Sequence, residues 1–234
     1  TRNIPAHTQF LSLTEQAAAE RLIAASGHPA HFFWGGFGDA ERKLCVFLPD
    51  WMSPEDWRLD ADCPLSAVRI ACPPGCGLTH RDYLGSILGL GITREKVGDL
   101  LVGEEGCQAV LLRELEHVLL SQLDQVGRQR VRVSPMAPAD LTPPVRQVKQ
   151  IRDTVATLRL DAVAASGFSI SRSKMADLIS SKKLMLNGRE CDKPDRPVGE
   201  GDVLVCRGLG KCVLSTISGP SKKGRIMIVI ERYI

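Results

Sequence analysis

Six segments between residues 67 and 133 decide the fold: AVRIA (67–71), THRDYLGSIL (79–88), VGDLLV (97–102), QAVLL (108–112), RELEHVLLSQLDQV (113–126) and RVRV (130–133). The first, third, fourth and sixth are short apolar or alternating runs and read as strands. The second and fifth read as helices, with Leu115, Val118, Leu119 and Leu123 at helical spacing in the fifth. Gly103-Glu104-Glu105-Gly106 supplies the turn between two strands. The order β-α-β-β-α-β predicts a ferredoxin-like, RRM-like domain over 65–134, a four-stranded antiparallel sheet backed by two helices. RNA-recognition modules share this order and stack bases on aromatics of the two central strands. Taking Val68, Ile70, Ala109 and Leu111 as that face, no aromatic is available.

Outward from this core, residues 1–64 predict a small α/β domain. A helix is expected over 11–25, an aromatic strand at Phe32-Phe33-Trp34 and its partner over 43–48. The intervening Gly35-Gly36-Phe37-Gly38-Asp39 is a turn; its tip either packs on the first helix or approaches RNA or a protein partner. Residues 135–150, with Pro135, Pro138, Pro143 and Pro144, read as a linker, leaving 134 as the end of the sheet domain. Beyond it, 151–234 predict helices over 161–165 and 171–181 and strands over 184–186, 203–206, 213–217 and 225–231. The fold class is α+β.

Of 234 residues, 44% are hydrophobic and 24% charged, ordinary values for a globular chain. The apolar run Ile226–Ile230 is far below the ~20 residues that span a bilayer, and no secretory leader pattern opens the chain. The expectation is a soluble, cytoplasmic, monomeric protein without a membrane partner. Its net charge of +3 hides an asymmetry. Residues 1–144 hold 13 Lys and Arg against 18 Asp and Glu, whereas 145–234 hold 17 against 9. A basic module for nucleic acid is joined to an acidic one.

Eight cysteines are scattered through the chain. Cys63, Cys72, Cys76 and His80 invite a zinc reading, but the wide first gap departs from paired short metal spacing. Reduced, unrelated cysteines, no metal and no cofactor are expected.

The best physical argument lies at Ser171-Arg172-Ser173-Lys174. Ser171 is a good N-cap, and cations in the first helical turn oppose the helix dipole. A sequence that places them there assembles an amide, hydroxyl and cation site for an anion. Lys182 and Lys183 end the same helix, where their charge suits the dipole.

At this point the residues match a family. Leu158-Arg159-Leu160-Asp161, Gly167, Ser171-Arg172-Ser173-Lys174, Leu178-Ile179, Leu186-Asn187-Gly188, Lys193-Pro194 and Gly201-Asp202-Val203 resemble the S4 RNA-binding domain. Phe32-Phe33-Trp34-Gly35-Gly36, Ala40-Glu41-Arg42-Lys43, Leu78-Thr79-His80-Arg81-Asp82-Tyr83-Leu84-Gly85 and Arg152-Asp153-Thr154-Val155 extend the resemblance to the bacterial YlmH family. The resemblance implies an N-terminal α/β domain, a ferredoxin-like middle and a C-terminal S4 domain. It also implies partners: structured ribosomal RNA or tRNA on the large ribosomal subunit, in rescue or quality control of stalled ribosomes. Ser171, Arg172, Lys174 and the cations around Asn187 would face RNA. Three departures stand out: Trp34 replaces Phe or Leu, Gly188 replaces Trp, and Lys182 stands where Gly commonly caps the second helix. The last predicts a rearranged cap at Lys182 and Lys183.

The RNA surface expected from these readings comprises Arg159, Ser171, Arg172, Lys174, Lys182, Lys183, Asn187, Arg189, Lys193, Arg207 and Lys211. No catalytic residue is assigned. His80-Arg81-Asp82 lacks the other parts of a kinase, and Thr79 with Asp82 reads as a capping box. Arg159-Leu160-Asp161 is similar to the pseudouridine-synthase motif, yet the residues after Asp161 read as the S4-like module itself. Gly208-Leu209-Gly210-Lys211 lacks P-loop spacing. A non-enzymatic RNA-binding protein is therefore expected, with an RNA-modifying enzyme or a cell-division adaptor as alternatives; Lys222 would be a neutral control in binding.

Overall fold

Strand parity governs the first half of the chain. In the computed structural model, which describes residues 4–143, 147–220 and 224–234, the chain divides into two units, Thr1–Pro144 and Val145–Ile234. Pro144 and Lys222, singled out above, lie outside the described residues.

The first unit begins with β1 (Ala6–His7), α1 (Leu13–Ala25), β2 (His31–Trp34), β3 (Leu44–Phe47) and α2 (Pro54–Leu59). These give a three-stranded sheet, β1-β3-β2. Each helix starts on a reciprocal capping box, Ser12 with Glu15 and Ser53 with Asp56. There follow β4 (Leu65–Ala71), α3 (His80–Gly89), β5 (Val97–Gly103), β6 (Gly106–Leu112), α4 (Glu116–Gln122), β7 (Gln125–Val126), β8 (Gln129–Arg130) and β9 (Arg132–Met136). Their main sheet has the order β5-β6-β4-β9, every pair antiparallel, as in a ferredoxin-like domain. At α3 the Asp82 carboxylate accepts from the Thr79 N–H and hydroxyl, both at 2.7 Å, as expected of a cap.

Two boundaries differ from the sequence expectation. Instead of one helix over 113–126, a 3-10 turn leads into α4, and β7 and β8 then form a hairpin at Gly127, φ 57°. Leu119, Leu123 and Val126 all remain in one core, so the apolar spacing is satisfied by a shorter helix and a hairpin. The last strand runs to Met136, past Pro135. An edge strand tolerates proline because one side of it needs no ladder bond, and β9 is an edge. The segment expected as a linker thus begins inside the sheet, and Leu141 beyond it packs on the core.

Each face of this sheet packs against another layer. Val68, Ile70, Cys107, Ala109 and Leu111 meet Tyr83, Ile87 and Leu119 on the helical side. The opposite parity, Leu65, Val110 and Leu112, meets Phe10, Phe37, Leu44, Val46 and Trp57 of the N-terminal layer. The residues taken above as the base-binding face are therefore helix-facing, a one-residue parity error. The opposite face packs against residues before position 64 and Leu141, while Arg69 on it stays exposed. Gly98 makes that packing possible, since a Cβ there would sit 2.9 Å from the Phe10 ring. Asp99 accepts the Glu41 and Arg42 N–H groups at 2.6 and 3.0 Å, and the Arg42 guanidinium donates to the carbonyls of Phe10 and Val97.

Cys72 and Cys76 form a disulfide across Pro73-Pro74-Gly75, correcting the expectation that all cysteines are reduced. The Cys76 N–H donates to the Pro73 carbonyl, so the loop doubles back and brings the two side chains together. The other six cysteines are free and buried.

The second unit contains β10 (Val148–Val155), α5 (Leu160–Phe168), α6 (Arg172–Ser180), β11 (Leu184–Leu186), β12 (Arg189–Glu190), β13 (Val203–Cys206), β14 (Gly210–Pro220) and β15 (Ile226–Tyr233). One six-stranded sheet, β10-β15-β14-β13-β11-β12, packs against α5 and α6 through Leu160, Val163, Phe168, Met175, Ile179, Leu204, Leu214 and Ile230. β10 lies partly in the expected linker. Its apolar residues Val148, Ile151 and Val155 fall three and four apart, so no strand alternation marks it. Pairing along β15, from Val148–Tyr233 to Val155–Ile226, makes it a strand.

Candidate nucleic-acid interface

The site is organised around a buried acid. Asp161, 5% exposed, sits in the first turn of α5. Arg159 precedes the helix in an extended conformation and turns back, donating from Nε and Nη2 to the two Asp161 oxygens at 3.2 Å. Arg172 reaches the same carboxylate from the start of α6, with Nη2 3.0 Å from Oδ2. Burial would raise the Asp161 pKa, but the hydrogen bonds from Arg159 and Arg172 prevail and hold it below the ordinary value. The bond to Asp161 raises that of Arg159 in turn. Both arginine side chains stay partly exposed, at 40% and 53%. The carboxylate fixes two planar, charged forks of the kind that grip phosphate oxygens.

A second strip of chain lies alongside. The Leu160 N–H donates to the Arg196 carbonyl at 2.8 Å and the Asp161 N–H to that of Pro194 at 2.9 Å. This brings the exposed Lys193 and Arg196 beside the first turn of α5. Arg196 escaped the sequence reading; its only signal was its place in the Lys193–Arg196 turn. Asp161 belongs to the S4-like motif and to the set-aside Arg-Leu-Asp motif, but neither reading makes it the anchor of two arginines.

Ser171 caps α6 as expected, accepting from the Lys174 N–H at 3.3 Å, and Lys174 is exposed. Arg172 is not left against the helix dipole without an acid, because Asp161 arrives from α5. At the other end of α6, Lys182 has φ 56°. Its N–H donates to the Ile179 carbonyl and that of Lys183 to Leu178, so the left-handed cap is kept with lysine in place of glycine. The expected rearrangement does not occur. The Arg207 N–H donates to the Lys183 carbonyl at 2.9 Å, gathering Lys182, Lys183 and Arg207 at one edge.

The remaining expected residues divide. Arg189 is exposed on β12, across from Leu186. Lys211, opposite Val205 on the β13–β14 hairpin, holds its ammonium 4.9 Å from the Tyr233 ring centroid. Asn187 has a structural task. At φ 50° its amide donates to Asp202 at 2.7 Å and its carbonyl accepts the Val203 N–H at 2.8 Å. These bonds brace the turn on which the exposed Asn187 sits. Among the described residues no three His, Cys, Asp or Glu side chains gather as a metal-binding group.

Known proteins resemble this chain. Residues 64–140 match the family model described as "Putative RNA-binding domain in YlmH", and residues 158–204 match the S4 domain. Over 226 residues the chain is 32% identical to Ribosome-associated protein quality control protein P2 of Bacillus subtilis, covering 96% of this chain and 86% of that protein. A solved structure titled Cell division protein ylmH from Streptococcus pneumoniae superposes with a TM-score of 0.50 at 24% identity. It covers 59% of this chain and 82% of that one, a likeness of fold.

Proposed function

Because the chain belongs to the YlmH family, we propose that it is a non-enzymatic RNA-binding protein that acts in the cytoplasm on structured rRNA or tRNA of the large ribosomal subunit, in quality control of stalled ribosomes. The observation that carries this reading is the Arg159–Asp161–Arg172 arrangement, two partly exposed arginines held by one buried carboxylate. Lys174, Lys182, Lys183, Arg189, Lys193 and Arg207 add exposed cations on the same unit. Such a surface supplies affinity through phosphate contacts and counterion release. The commitment of Asp161 to two arginines supports positioning rather than nucleophilic chemistry for the Arg-Leu-Asp motif. The excess of Lys and Arg over Asp and Glu after residue 144, 17 against 9, supports the second unit as the principal RNA contact.

Co-sedimentation of the purified protein with isolated ribosomal subunits tests the reading. Pelleting with the large subunit, and loss of pelleting on Arg159→Ala plus Arg172→Ala, is the expected result. Equal association with both subunits, or with neither, overturns it.

A further inference from the structure

A second cationic feature lies where β10 runs past α5. A cleft of about 570 Å³ opens there, lined by Arg152, Asp153, Thr154 and Arg225 together with Ser166 and Arg172. Three guanidinium-bearing residues border it against one acid. That acid is engaged within the lining: Asp153 accepts from Ser166 Oγ and from the Thr154 N–H, each at 2.7 Å, so the cations outnumber it three to one. Arg225 is oriented by Thr154, donating to its hydroxyl at 3.1 Å and its carbonyl at 2.6 Å. Arg172 is oriented by Asp161, and Arg152 is exposed on the edge strand of the sheet. Two of the three cations are thus braced by the protein before any ligand arrives, which lowers the ordering cost of binding.

Arg152 and Arg225 lie outside residues 158–204, the stretch that matches the S4 domain, while Arg172 belongs to it. We propose that this cleft is an additional RNA-binding subsite that takes the phosphodiester backbone of a strand leaving the Arg159–Arg172 surface; the proposal rests on the RNA-binding reading above. The lining favours backbone over base. Among the described residues no aromatic side chain borders the cleft, and its apolar wall includes Ala162, Ala165 and Ile170, so they offer no stacking platform. Phosphates and guanidiniums then make the contact, independent of sequence. An exposed strand edge also suits an extended peptide, but the three arginines would repel the basic segments common in nucleic-acid-binding partners.

The test is a salt titration of affinity for labelled ribosomal RNA extracted from large subunits, with the full chain and its Arg152→Ala and Arg152→Lys variants. Arg152→Ala is expected to weaken binding about three- to tenfold near 0.1 M salt and to flatten the log–log slope by about 0.7–0.9, one phosphate contact. Arg152→Lys should restore the slope. Arg225→Ala, checked for folding by its thermal transition, should lower affinity similarly. Unchanged affinity and slope in Arg152→Ala and Arg225→Ala, while Arg172→Ala weakens binding, overturns the subsite and leaves the RNA-binding reading standing. Absence of binding by the wild-type chain overturns both. Arg152-dependent displacement of the RNA by inorganic phosphate at matched ionic strength would make the cleft a small-anion pocket, and equivalent displacement by polyglutamate would make it a peptide site. Either result also overturns the proposal.

Discussion

Arg172 and Asp161 stand at the first turns of successive helices, eleven residues apart, and meet at 3.0 Å over a carboxylate that is almost wholly buried. The contact fixes where α6 begins relative to α5 and aims a guanidinium outward. It also resolves an apparent conflict in the sequence, a cation at a helix start that carries positive dipole. Asp161 comes from the neighbouring helix and so is absent from the helix's own first turn.

That geometry separates positioning from net charge. Asp161→Asn makes the surface more positive by one unit, and a purely electrostatic footprint would then bind RNA more tightly. If orientation of the two arginines matters more, affinity falls despite the added charge. We expect a fall of about threefold or more in filter binding at fixed salt, with thermal stability lowered by about 1–3 kcal/mol from weakened charged hydrogen bonds. Tighter binding by Asp161→Asn would show that the carboxylate merely attenuates the field.

The same residue gives a pH dependence of known sign. The Asp161 carboxyl is held below its ordinary value in the fold. Its contribution to stability is therefore complete above the unfolded pKa, about 3.9, and is lost as pH falls through the lower folded value. Denaturant midpoints of the wild type and Asp161→Asn should differ by a constant amount above about pH 5 and converge below about pH 4. A gap that widens on acidification would contradict the assignment.

The sequence exposed the order of elements in 65–134 because each had its own periodicity and turn residues. It did not expose which layer each sheet face packs against. Val68 and Ile70 look like either face until Phe10, Phe37 and Trp57, distant in sequence, pack on the other side. β10 was missed for a related reason: its strand character resides in its pairing with β15, seventy or more residues on. In the site, Ser171 was legible because an N-cap is a local device. Asp161 as the anchor of two arginines was not, since the decisive contact joins two helices. For Asn187 the turn signal is legible, but not that its side-chain amide reaches Asp202 and Val203 across fifteen residues or more.

Lys182 offers a substitution in which stability and binding should move in opposite directions. A non-glycine residue at φ 56° carries left-handed strain. Lys182→Gly relieves it while enlarging the entropy of the unfolded chain, for a net gain of about 0.5–1 kcal/mol. It also removes one cation beside Lys183 and Arg207. Urea unfolding should show the gain, and RNA affinity should fall with a shallower salt dependence. Unchanged affinity would remove Lys182 from the interface without touching the cap argument.

Cysteine chemistry gives the last test. Burial pushes the thiols of Cys45 up to about 11 and of Cys107 and Cys212 up to about 12, so they stay protonated at neutral pH. All six free cysteines are buried, whereas Cys72 and Cys76 lie in a partly exposed loop. Folded, oxidised protein should therefore resist iodoacetamide almost completely. After mild reduction two alkyl groups should add, mapping to Cys72 and Cys76, and after denaturation in reductant all eight cysteines should react. Intact-mass spectra count the additions directly. Early labelling of Cys107 or Cys212 in folded protein would mean that their cores open far more readily than their packing allows, and two additions before reduction would mean the Cys72–Cys76 pair is not bonded.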